Sequence, residues 1–315
     1  MYGGTPQFWL WTVLALATFV VIYWKIAQGK LESQKSAIMA KQRAVMQTLG
    51  PKIIPFCEKL ERWVFDLAAD PGAKFAAPEA SLESVANGPG VYLRLRSANA
   101  KNTKSLRSAA ARSLRDGFTS CLFVRREESE GPACKSPSDC GRGTVCNDWS
   151  VCARPSQPYN LRLAYRALRI LSSDWTDELH EASSDLAARA FEMDFDAVTK
   201  NDIPVAIEVL SRARYFTVVL DEDPAGGLPA ALTRAPGEPT ETEEERIQRV
   251  PHFARVGIWD IREDKPLVRL RAEASGEFVA VGDRSASSGD TLAAERRQVN
   301  SCALALEVKE LLSGK

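Results

Sequence analysis

Histidine is scarce in this chain of 315 residues, with two in all, and the Cys-x-x-Cys spacing is absent. Without that spacing, dithiol redox catalysis and the common zinc knuckle lack their local ligand pair. His180 and His252 fall outside any H-E-x-x-H spacing and read as surface residues with no special role. There is no G-x-S-x-G elbow, no G-x-x-x-x-G-K-S/T phosphate loop and no G-x-G-x-x-G after a strand. Glu192, Asp194 and Asp196 alternate along a predicted helix and cannot share one face, so they read as solvated charge. Net charge is zero, which implies neither an acidic nor a basic partner overall. No catalytic residue, cofactor or metal ligand is assigned from these patterns, and no internal repeat is found.

Long apolar runs are also rare; one is present. Residues 8–24, FWLWTVLALATFVVIYW, carry no charge. With Ile26 and Ala27 added past Lys25, the run just crosses a hydrocarbon core of roughly 30 Å. Trp9, Trp11, Tyr23 and Trp24 lie near its ends, where amphipathic rings favour the headgroup region. The preceding MYGGTPQ has no basic side chain and no small-residue cleavage site follows, so an uncleaved membrane anchor is expected rather than a signal peptide. Lys25, Lys30, Lys35, Lys41 and Arg43 all follow the run, which by the positive-inside rule places the rest of the chain in the cytoplasm.

The cysteines argue the other way. Cys134, Cys140, Cys146 and Cys152 recur at every sixth position, four in 19 residues. Structural zinc favours C-x2–4-C pairs, and all three spacings here are x5. Between them lie turn formers, and apolar side chains are few: Val145, Trp149 and Val151. A segment of that kind cannot hold itself together by burial and is expected to be stapled. The pattern is similar to the repeats of secreted cysteine-rich modules over these residues alone. Three pairings are possible, and interlocking Cys134–Cys146 with Cys140–Cys152 constrains the segment as one body. Disulfides imply an oxidising compartment, hence a C-terminal part outside the cytoplasm, periplasmic if bacterial. The alternative is a cytoplasm-facing chain with a four-cysteine zinc site. Cys57, Cys121 and Cys302 remain, either as buried small hydrophobes or with two of them joined by a long-range bridge.

Hydrophobic periodicity divides the chain into an anchor (1–24), a helical stalk (25–50) ended by Gly50-Pro51, and an α+β domain (51–315). Within the domain, 127–158 is a projecting cysteine-rich insertion and 221–250 an acidic, proline-bearing loop without the apolar surface to fold. Strands are expected at 91–96, 118–125, 214–220, 253–261 and 267–274, in a mostly antiparallel sheet with helices on one face. Helices are expected at 53–69, 103–115, 160–172, 174–199, 202–213 and 290–312, with Asp174 and Asp202 as N-caps and Leu292, Val299, Cys302 and Leu306 inward on the last. The stalk seam Trp24, Leu31, Ile38 and Val45 is faced by the mostly polar Gln28, Lys35, Gln42 and Leu49. That is a poor heptad, giving a weak case for dimerisation and a better one for a helix lying on its own domain.

The layout of an N-terminal apolar helix running into an α+β head is similar to that of pilin-like proteins, but the Gly-Phe-Thr-Leu start and the glutamate five residues into the span are absent. The expected function is therefore a non-catalytic interaction or scaffold protein of the cell envelope. An enzyme with an unrecognised site, such as a hydrolase using acidic residues, is the alternative. The expected partners are membrane lipid, through the N-terminal helix, and another protein. Nucleic acid is not expected, because no aromatic residue interleaves the basic ones of 104–115.

Overall fold

A computed structural model of the chain describes residues 6–70, 72, 74–113, 116–123, 131–141, 144–146, 150–153, 159–235, 238–239, 241–277 and 289–314. Its first element, α1 (Pro6–Ala69), is one helix of 64 residues, about 96 Å long at 1.5 Å per residue. Its N-terminal part is apolar and bare: Trp9, Trp11, Tyr23 and Trp24 are 55% to 70% exposed. From Lys35 on, the same helix turns Ile38, Ile53, Cys57, Leu60, Val64 and Leu67 into the core of the head. The stop expected at Gly50-Pro51 does not occur, and the helix contains both Pro51 and Pro55. A proline frees the carbonyl four residues back. Here those carbonyls belong to Gln47 and Pro51, on a row of exposed residues, where water can take the lost bonds.

After β1 (Phe75–Ala76) and α2 (Leu82–Asn87), β2 (Gly90–Arg96) leads to α3 (Thr103–Ala110) and α4 (Gly117–Leu122). The insertion contributes β3 (Val145–Cys146) and β4 (Cys152–Ala153), followed by β5 (Tyr159–Asn160). Four helices come next: α5 (Arg162–Ile170), α6 (Ser173–Glu181), α7 (Asp185–Ala197) and α8 (Ile203–Arg212), with a π turn at Val198–Asp202. The chain closes with β6 (Tyr215–Asp221), β7 (Thr233–Ala235), β8 (Glu238–Pro239), α9 (Glu243–Gln248), β9 (His252–Asp260), β10 (Lys265–Ala274) and α10 (Gly289–Leu312).

The fold is α+β, built on a six-stranded sheet of order β1-β10-β9-β6-β2-β5. The sheet is mixed rather than mostly antiparallel. β1–β10, β10–β9 and β9–β6 are antiparallel, whereas β6–β2 and β2–β5 are parallel. Parallel neighbours need a crossover, and the helices between β2 and β6 supply it. Every residue of β6 is buried, because helices cover both faces of the sheet and not one. On one face α1, α3, α5 and α8 pack over Leu93, Phe216, Val218 and Trp259. On the other, α2, α4 and α10 pack over Tyr92, Val219, Val256 and Leu270. Trp63, Phe216 and Trp259 stack at centroid distances of 5.7 to 6.3 Å. Gly257 permits this, since a Cβ there would lie 2.2 Å from the Trp259 ring.

Several elements depart from expectation. Residues 117–122 form a helix, not a strand: Asp116 caps it by accepting from the Phe118 N–H, and Phe118 and Leu122 share its buried face. The predicted 174–199 helix is two helices, because Ser184 accepts from the Ala187 N–H and starts a new one. Ser172, not Asp174, caps α6, and Asp202 makes no side-chain cap on α8. On α10 the inward face carries Ala293, Asn300, Ser301, Leu304, Ala305 and Val308, while Leu292 and Leu306 are exposed. The expected apolar stripe is rotated because Asn300 and Ser301 bond to buried polar groups of the head. Residues 114–115 of the predicted α3, 124–125 of the predicted strand, and the flanks 127–130 and 154–158 lie outside the described residues.

Candidate functional site: a buried charge network beneath a polar cleft

Alternation along β2, β6 and β9 places Tyr92, Arg94, Asp221 and His252 on the sheet face beneath α4 and α10. Arg94 is 4% exposed. Its Nε and Nη2 donate to the two oxygens of Asp221, each at 2.8 Å, a bidentate pair. Its Nη1 donates to Ser301 Oγ at 2.9 Å and to Asp116 Oδ2 at 3.2 Å. The Tyr92 hydroxyl donates to the same Asp116 oxygen at 2.6 Å. His252 Nε2 lies 3.0 Å from Asp221 Oδ1, and Nδ1 lies 2.8 Å from the Val250 carbonyl. Carboxylate and carbonyl oxygens only accept, so both bonds form when both ring nitrogens carry hydrogen.

Burial, the largest single influence, works against the Asp221 carboxylate. The Arg94 charge and the hydrogen bonds from His252 and Arg94 outweigh it and hold the carboxyl well below its usual range. Burial also pushes the Tyr92 hydroxyl up, helped by the charge of Asp116. On the opposite face, burial raises Glu61 against the pull of Arg107, which grips it through Nε and Nη2.

Arg94, Asp116 and Ser301 also line a cleft of about 380 Å³ walled by α3, α9 and α10. Its walls mix Arg112 and Arg297 with Glu244, Glu245, Gln248 and Gln298. Gly117 at the start of α4 touches Gln298 so closely that a Cβ would fall 2.1 Å from the amide oxygen. The cleft can hold a small polar group, but its chemistry is subdued. Ser301 Oγ accepts from Arg94, and the His252 ring has no nitrogen left to act as a base for a hydroxyl.

His252 is thus 3% exposed and central to the network, not a surface residue. The 221–250 segment is likewise part of the head. Asp221 ends β6, a capping box of Thr242 and Glu245 starts α9, and Ile247 is fully buried. Glu241 is gripped by Arg249 and Arg297 at 3.0 and 3.2 Å. His180 is exposed, with its carbonyl accepting from Lys35 Nζ.

Among the candidate residues, the four clustered cysteines come together as two interlocked pairs at disulfide distance. Cα–Cα is 5.8 Å for Cys134 and Cys146, and 5.3 Å for Cys140 and Cys152. β3 and β4 set Cys146 opposite Cys152. Backbone bonds from Cys134 to Ser150 and from Cys152 to Pro132 close the segment. Asp139 accepts from the Lys135 and Ser136 amides, which hold its carboxyl below the usual value. The insertion rests its Pro137–Asp139 turn on the π turn at Val198–Asp202. A third pair, Cys121 and Cys302 at 5.2 Å, ties α4 to α10, and Cys57 is a buried free thiol. Trp9, Trp11, Tyr23 and Trp24 take no part in the head and stay on the bare helix.

Fold and site together define a mixed α+β head on a long apolar N-terminal helix. No protein-family model matches the chain, and neither a curated protein nor a solved structure matches it.

Proposed function

We propose that the chain is a single-pass membrane protein whose head lies outside the cytoplasm and acts by binding, as an interaction or scaffold protein of the cell envelope. The observation that carries this reading is α1 itself. Its apolar first part is bare, and the same unbroken helix then packs into the head. The run 8–24 holds 17 uncharged residues, 15 of them apolar or aromatic; exposing such side chains to water would be costly, and a bilayer removes that cost. The interlocked cysteine pairs support an oxidising compartment. The commitment of the His252 ring and of Arg94 to internal bonds supports binding over catalysis.

One observation favours a second reading. The sulfurs of Cys134, Cys140 and Cys152 lie within 4.8 Å of one another, so a reduced, cytoplasm-facing cluster could hold zinc. Thiol labelling of intact against lysed cells, with and without reductant, separates the two. The proposal expects labelling of the clustered cysteines only after reduction, with a membrane-impermeant reagent sufficient on cells whose outer barrier is opened. Labelling without reductant, with zinc released by a chelator, would replace it with the second reading.

A further inference from the structure

Beyond residue 26, the two most exposed large apolar side chains among the described residues are Leu186 and Met193, at 79% and 71%. Both lie on α7, seven residues apart, with the exposed Ala190 and Ala197 between and beyond them. The spacing 186, 190, 193, 197 runs 4-3-4, the step of a coiled-coil seam. It is not the core face of α7, because Ala188 and Phe195 point the other way, Phe195 against Trp175. The stalk seam weighed for dimerisation is spent on the head, where Ile38 is fully buried.

The direction of α7 decides what can dock there. Asp185 pairs with Lys30 at 3.8 Å and Glu192 with Lys41 at 2.7 Å, so α7 runs alongside α1 in the same sense. Its first turn stands level with Lys30, about 9 Å of helix past Trp24. A second copy held in the same membrane presents the same helix in the same sense, so the two α7 helices meet in parallel and in register. With Leu186 and Met193 at the d positions, Ala190 and Ala197 take a, where a small side chain admits close approach. Arg189 then falls at g and Asp194 at e. In a parallel pair a g residue meets the e residue five positions on in the other copy, which here is Arg189 against Asp194, twice by symmetry.

We infer that α7 is a homodimer interface, pairing two membrane-anchored copies in parallel through Leu186, Ala190, Met193 and Ala197, with Arg189–Asp194 pairs at its edges. The orientation rests on the anchor reading above. A seam about 17 Å long is too short to hold two free chains together. Confinement of both copies to one membrane raises their effective concentration and makes a short seam sufficient.

The test uses the full-length chain in membranes. Leu186→Cys and Met193→Cys should each give same-residue crosslinks on oxidation, while Lys104→Cys, exposed on α3, should not. Arg189→Asp or Asp194→Arg alone sets like charges across the seam and should weaken dimerisation roughly tenfold, and the two together should restore it. Asp194 also lies 3.7 Å from Arg169 of its own chain, so each variant's melting temperature is measured to exclude misfolding. Crosslinking no stronger than at Lys104→Cys, 186-to-197 crosslinks in a Leu186→Cys/Ala197→Cys variant, which mark an antiparallel pair, or a double reversal that fails to restore association would each overturn the interface. Fractionation of each variant reads the anchor separately: soluble chains would sink the anchor, whereas membrane-bound chains that fail to crosslink at 186 and 193 would sink the seam and keep the anchor.

Discussion

Asp221 is fully buried, and removing its charge leaves Arg94 and His252 facing a neutral amide. Breaking a buried pair by taking one partner costs about 3–5 kcal/mol. Asp221→Asn should therefore lower the denaturation midpoint strongly, whereas Asp223→Asn, on an exposed carboxylate paired with Arg96, should change it little. The pH dependence follows in sign. A carboxyl held below its usual value contributes stability that is complete above the unfolded value of about 3.9 and is lost as pH falls towards the folded one. Acid titration of the wild type should show loss of stability below about pH 4, and the Asn variant a shallower slope there. Part of this residue-level picture was legible. Alternation through His252, Ala254, Val256 and Ile258 puts the histidine on the buried side once the strand is begun one residue earlier. Its partner was not, because Arg94 and Asp221 meet across 127 positions of sequence.

At the scale of elements, the 221–250 segment teaches most. Its acidic, proline-bearing composition argues for a loop, and averaging over it hides one short helix that begins at Thr242 with glutamate three residues on, the pattern of a capping box. Replacing 222–250 with a Gly/Ser linker should lower the melting temperature by well over a few degrees, and Ile247→Ala alone should cost about 2–5 kcal/mol. A linker variant as stable as wild type would show that α9 and Glu241 add nothing to the fold. The cysteine insertion was the more readable element, because turn formers and a lack of apolar side chains act locally. Mass spectrometry of the non-reduced chain, cut by trypsin at Lys135 and Arg142 and by chymotrypsin at Trp149 between Cys146 and Cys152, should link Cys134 to Cys146, Cys140 to Cys152 and Cys121 to Cys302. Nearest-neighbour pairs instead would contradict the interlocked arrangement.

For the whole molecule, the continuity of α1 makes its residues from Lys35 on part of the head and not a spacer. Lys35 Nζ reaches the His180 carbonyl at 2.9 Å, and Gln42 Nε2 the Ile170 carbonyl at 3.3 Å. Deleting residues 1–24 should therefore leave a folded head with a cooperative melt, while deleting 1–50 uncovers α5 and α7 and should lower the melting temperature or cause aggregation. Circular dichroism of the two truncations checks this, and equal melts would show that the stalk packs weakly.

Sequence by itself determined what depends on neighbouring residues: the apolar helix with its aromatic ends, the strands at 91–96, 214–220, 253–261 and 267–274, and the clustering of the four cysteines. These follow from periodicity and turn chemistry within a few residues of chain. Tertiary structure alone decided the parallel joining of β2 to β6, the helices on both faces and the Arg94–Asp221–His252 network. It also carried α1 unbroken past Pro51, because the freed carbonyls face water while Ile53 and Cys57 gain burial. Each of these depends on groups distant in sequence that become neighbours only once the chain has folded, and no local pattern encodes that.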